Sequence, residues 1–165
     1  MLKKDYILLF MLLCYLTPIT LVYSYYNSNA SVSSIICNEE CRNTILGCMF
    51  LMGVGTITYE IERQDTISTF LISLLLIGIY GLICIDESSI IHYIFAFFGF
   101  AAILLFMIWH CYRQSCNLLL FALLLFEVAT FIYLLINIEN DIFVGEVVYI
   151  LIFAIFYLYL HFCQR

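Results

Sequence analysis

Glu127 stands at the middle of a long apolar run, residues 117–138, and its position makes it the sharpest chemical feature of the chain. An ionised carboxylate at that depth in hydrocarbon is costly by several kcal/mol, so the side chain needs a proton, a cation or a cavity. No lysine or arginine lies at comparable depth in any apolar run. The expected partners are hydroxyls: Thr130 on the same segment, or Thr56 and Thr58 on an earlier one. Such a carboxyl serves either as a proton or ligand site or as a protonated tie between helices. Both readings stand.

A second set of polar residues collects where the runs begin and end. His92 follows the acidic turn Asp86-Glu87, and Glu146 opens the final run on the same expected side of a membrane. Together they could form a polar cluster at one mouth of a bundle, with an imidazole able to change charge near neutral pH. The plainer alternative is an interfacial histidine and a glutamate favoured by the positive end of a helix dipole. His110 and His161 lie near run ends on the opposite side and are expected as interface residues.

The eight cysteines divide by position. Cys37 and Cys41 share the loop 24–43 and form a candidate disulfide if that loop meets an oxidising compartment. Cys111, Cys116 and Cys163 lie at run ends on the cytosolic side and are candidates for palmitoylation. Cys14, Cys48 and Cys84 are expected as buried apolar fillers. Asn29-Ala30-Ser31 matches a glycosylation sequon, which makes Asn29 a candidate acceptor. Loop 24–43 offers no histidine to complete a zinc site, and both lysines lie at the N-terminus, so no span holds a Schiff-base lysine. P-loop, HExxH, GxSxG and dinucleotide fingerprints are missing. No catalytic residue, metal or cofactor is expected, and the chain reads as non-enzymatic.

The elements that must position these residues follow from composition. Hydrophobic residues make up 65% of the 165 and charged residues 11%. A water-soluble domain of this length must still cover itself with polar surface, and this chain cannot. Six apolar runs, at about 6–23, 44–60, 67–85, 89–110, 117–138 and 143–163, are each near the ~17–25 residues of a bilayer-crossing helix. They lack the alternation of barrel strands. The expected fold is an all-α integral membrane protein: one domain over 1–165, six antiparallel transmembrane helices, and a single sizeable loop at 24–43. Ser88 or Ser89 should cap the fourth span. Gly47, Gly53 and Gly55, Gly78 and Gly81, and Ala96, Gly99 and Ala102 are small enough to mark helix contacts, although no strict GxxxG occurs. Tyr23, Tyr25, Tyr26, Tyr112 and Tyr149 suit the membrane interface.

Charge sets the expected orientation. With the N-terminus in the cytosol, Lys3, Lys4, Arg63, Arg113 and Arg165 fall on the cytosolic side and Arg42 alone on the other, in keeping with the positive-inside rule. Glu39, Glu40, Asp86, Glu87, Glu139, Asp141 and Glu146 gather on the far side. Both termini are therefore expected to be cytosolic. The first run, long and carrying Pro18 and bulky tyrosines, reads as a retained span and not a cleaved signal peptide. No basic patch supports nucleic-acid binding.

Three stretches carry a family likeness. Gly81-Leu82-Ile83-Cys84-Ile85-Asp86-Glu87-Ser88-Ser89-Ile90-Ile91-His92-Tyr93-Ile94-Phe95-Ala96-Phe97 joins a helix end, a short far-side turn and a histidine-led helix. Glu146 opens a Phe/Tyr-rich last span reaching Phe162, and Tyr59-Glu60-Ile61-Glu62-Arg63 closes the second span. This arrangement resembles the DRAM/Frag group, the damage-regulated autophagy modulators and their six-span relatives. His92 and Ala96 match its His-then-Ala pattern, whereas Glu127 has no counterpart there. The resemblance implies a regulator in lysosomal, Golgi or plasma membranes, acting on autophagy, GPI-lipid maturation or phosphoinositide signalling. Its partners would be membrane lipids and other membrane proteins. The competing expectation is a small proton- or cation-coupled transporter or channel built on Glu127.

Overall fold

Every regular element among the described residues is a helix. The computed structural model describes residues 3–25, 31–38, 42–85, 88–114, 117–136 and 142–162, and for residues 3–5, 33, 37 and 38 it describes the backbone alone. In chain order the helices are α1 (Lys3–Ser24), α2 (Val32–Asn38), α3 (Arg42–Glu62), α4 (Thr66–Cys84), α5 (Ile90–Arg113), α6 (Leu118–Ile136) and α7 (Ile142–Phe162). All but α2 are long and apolar enough to cross a membrane, at 19 to 24 residues each. The chain is an integral, multi-pass helical bundle. Large side chains such as Phe50, Phe70, Phe98, Phe121 and Phe126 point outward, an arrangement stable only where the surroundings are themselves apolar.

Local chemistry sets the helix ends. Asp65 caps α4 by accepting the Ser68 N–H at 3.2 Å, and Ser89 caps α5 by accepting the Ile91 N–H at 3.3 Å. Asn117 does the same for α6, taking the N–H groups of Leu119 and Leu120 at 3.0 and 3.2 Å. The α3–α4 turn closes through Gln64, which adopts φ 59° while its N–H donates to the Ile61 carbonyl. Short turns make successive spans antiparallel neighbours. The most extensive pairings are α4 with α5, α1 with α3, and α6 with α7.

In lipid no hydrophobic drive brings helices together, so close packing must do it. Along α4 and α5 the backbones meet at Gly78 and Gly99: a Cβ on Gly78 would stand 2.9 Å from the Gly99 backbone. A Cβ on Gly47, expected at a helix contact, would instead meet nothing within 4 Å among the described residues. The main core runs through Leu8, Ile72, Phe106, Met107, Leu120 and Phe156. A smaller one, of Val22, Ile35, Ile36, Ile45, Ile83 and Phe143, seats α2 on the opposite end of the bundle. This short helix was not expected within loop 24–43; its seven residues hold two buried isoleucines but too few positions to show a period. Two expectations about individual residues fail. Tyr149 is fully buried, with its hydroxyl donating to the Phe100 carbonyl at 2.8 Å and its ring edge-on to Phe100. Cys84 is exposed, while Cys14 is buried and Cys48 half-buried.

Candidate functional site

The bundle is not solid. Between α1, α2, α3, α4, α5 and α7 lies a cavity of about 260 Å³. Its wall follows α1 from Met11 to Tyr23 and α7 from Phe143 to Leu158. The fifteen-residue advance along α7 corresponds to about 22 Å of helix, most of a hydrocarbon core ~30 Å thick. The lining is Met, Leu, Ile, Val and Phe almost throughout, with Pro18, Ala96, Gly99 and Ala154 leaving room where a larger side chain would fill it. So small a volume over such a length is a slot for one chain. Tyr15 belongs to its wall and donates its hydroxyl to the Ile150 carbonyl at 2.8 Å, tying α1 to α7.

One end of the bundle is closed by a polar network. Glu60 of α3 is fully buried. Tyr157 donates its hydroxyl to Glu60 Oε1 at 2.6 Å, His161 Nε2 lies 3.2 Å from the same oxygen, and Arg63 Nη1 lies 3.2 Å from Oε2. Tyr157 and His161 are one turn apart on α7 with rings edge-on at 4.2 Å, and Arg63 sits over the Tyr59 ring at 5.8 Å. Beside them the buried pair Ser68 Oγ and His110 Nε2 shares a 2.8 Å hydrogen bond. Asp65 caps α4 and pairs with Arg113. Burial alone would raise the Asp65 carboxyl, but the Ser68 backbone and hydroxyl and the Arg113 guanidinium hold it below its ordinary value. His110 and His161 are thus interior residues of the bundle, not interface residues. Their sequence signal was a shared depth at span ends and the i, i+4 spacing of Tyr157 and His161, which puts both on one face.

At the other end the sequence-derived cluster is only partly assembled. Glu146 lines the cavity beside α2, and its Oε2 accepts the Val32 N–H of that helix at 2.7 Å. His92 is buried and donates its Nδ1–H to the Ile85 carbonyl at 3.0 Å, which ties α5 back to the end of α4. It does not line the cavity. Asp86 and Glu87 lie outside the described residues, as do Asn29, Cys41, Cys116 and Cys163. Cys37 falls in α2 with its side chain outside the described part, and Cys111 is half-buried in α5.

Glu127 faces inward from α6 and is fully buried, yet among the described residues neither carboxyl oxygen has a hydrogen-bond partner. The hydroxyls expected to serve it are used locally: Thr130 donates to Phe126, Thr56 to Met52 and Thr58 to Val54, each to its own helix. Tyr15 and Tyr149 likewise donate their hydroxyls elsewhere, to the Ile150 and Phe100 carbonyls. Glu127 does not line the cavity. Among the described residues no group of three or more His, Cys, Asp or Glu is placed to hold a metal ion. Comparison with protein-family models, curated proteins and solved structures finds no match to this chain.

Proposed function

We propose that this protein is a multi-pass membrane regulator that holds the apolar chain of a lipid inside its bundle and acts on lipid-linked membrane processes without a catalytic site of its own. The supporting observation is the cavity: long, narrow, lined by apolar side chains and bounded at one end by the Glu60 network. A ligand that matches such a slot is unbranched and apolar, because every polar group it carried inward would lose its hydrogen bonds to water. The DRAM/Frag resemblance points to the same class of role, in lysosomal, Golgi or plasma membranes. The five-to-one division of basic residues supports cytosolic termini. Photolabelling the full chain in detergent with a diazirine-bearing fatty alcohol tests the reading. Label should map to α1 and to the Phe143–Leu158 part of α7, and Ala154→Trp should abolish it; label confined to the outer faces would overturn the reading.

A proton- or cation-coupled transporter remains as a second reading, on the single observation that the buried Glu127 carboxyl has no hydrogen-bond partner among the described residues. It requires a path that reaches Glu127, which the cavity does not. Proteoliposome flux decides: transport above empty vesicles that is lost in Glu127→Gln would establish it, and no flux would end it.

A further inference from the structure

Glu146 is the one carboxylate among the described residues of the cavity wall, and no lysine, arginine or histidine accompanies it there. Among the described residues only its Oε2 is engaged, by the Val32 N–H, so acceptor capacity remains on a half-buried group beside Phe143 and Val147. A carboxylate left in apolar surroundings without a counter-charge is costly. The segments that join the helices at this end carry Glu39, Glu40, Asp86, Glu87, Glu139 and Asp141 against Arg42 alone, so this end of the bundle attracts cations. Tyr23 and Phe143 add two aromatic rings to the same wall.

We infer that the cavity takes a single-chain lipid whose polar end is a protonated amine, with the ammonium donating to Glu146 beside α2 and the chain running along α7 toward Tyr157. This rests on the chain-binding reading above and adds the chemical class of the ligand. An ammonium supplies both the counter-charge and the N–H donors that the wall lacks. A fatty acid would instead set two carboxylates against each other there. A fatty alcohol offers a donor but no charge.

The experiment uses the full chain in a nonionic detergent with three diazirine probes of equal chain length: a primary amine, an alcohol and a carboxylic acid. In the wild type the amine should label the cavity segments about tenfold more strongly than the alcohol, the worth of one charge-assisted hydrogen bond. The acid should label least. Glu146→Gln keeps an acceptor for Val32 and should bring amine and alcohol to within about twofold of each other, with an unchanged thermal melting profile as the control of folding. Equal labelling by amine and alcohol in the wild type overturns the inference and leaves the chain-binding reading intact, and it does so without any variant. A preference that survives Glu146→Gln overturns it as well. Labelling of the cavity by none of the three removes both.

Discussion

The two ends of the bundle handle buried charge in opposite ways. At the α3–α4 end, Glu60 is surrounded by Tyr157, His161 and Arg63, so its charge and hydrogen-bonding capacity are met within the protein. At the α2 end, Glu146 has one backbone N–H on one oxygen and opens onto an apolar cavity. A network that satisfies itself has no need of a ligand and locks helices together. A carboxylate with spare acceptor capacity on a cavity wall is built to meet something else. The presence of charge inside a membrane bundle therefore does not mark a site; incomplete pairing on a cavity wall does.

Removing the acceptor of the closed end should have the largest effect. Glu60→Ala leaves Tyr157, His161 and Arg63 facing an empty space, and breaking a buried ion pair from one side costs about 3–5 kcal/mol. Thermal unfolding in detergent should show a large loss. Glu127→Gln should change little by the same measurement, since Glu127 has no hydrogen-bond partner among the described residues to lose. Similar losses in the two variants would break the distinction between paired and unpaired carboxyls.

The middle of the bundle offers a test independent of charge. Gly78→Ala drives a methyl into the Gly99 backbone and should cost about 1–3 kcal/mol through overpacking. Gly99→Ala, whose new Cβ would lie 4.0 Å from Gly78 Cα, should be tolerated. Equal effects would mean that the α4–α5 seam is not as close as described.

Tyr157→Phe removes a single hydroxyl from Glu60 and should cost about 1.5–3 kcal/mol, the range for a hydrogen bond to a charged group. A neutral outcome would show that Arg63 and His161 alone satisfy the carboxylate. The smallest effect belongs to the rim. Asp65→Asn keeps a good helix cap but loses the pair with Arg113, which is half exposed, so the cost should be about 0.5 kcal/mol and fade with added salt. Because the folded protein holds the Asp65 carboxyl below its unfolded value of 3.8, its contribution is complete above that value and is lost as pH falls through the lower, folded value. Unfolding followed at falling pH, wild type against Asp65→Asn, reads the difference directly.

The spans were legible because hydrocarbon imposes a length and a composition on each one, and the helices end within a few residues of the apolar runs. Ser89 as a cap was legible for a similar reason: a hydroxyl just before a long apolar run has few other uses. Glu127 was visible as a buried carboxyl, but its lack of partners was not. Sequence shows which hydroxyls share its depth, not that Thr56, Thr58 and Thr130 turn back to their own helices. The Glu60 network was missed for a related reason. Its members come from two separate spans, α3 with its following turn and α7, with the Ser68–His110 pair of α4 and α5 beside them, and each taken alone looks like an ordinary polar residue at a helix end. The cavity had no signal at all, because it arises from how apolar faces fail to fill the space between them.

Native mass spectrometry of the full chain released from its own membrane tests the central claim most directly. The account predicts one retained lipid-mass adduct on the wild-type protein and its loss in Ala154→Trp, with folding shown by an unchanged melting profile. A wild-type spectrum without a retained lipid, or an adduct equally abundant in both proteins, would contradict it.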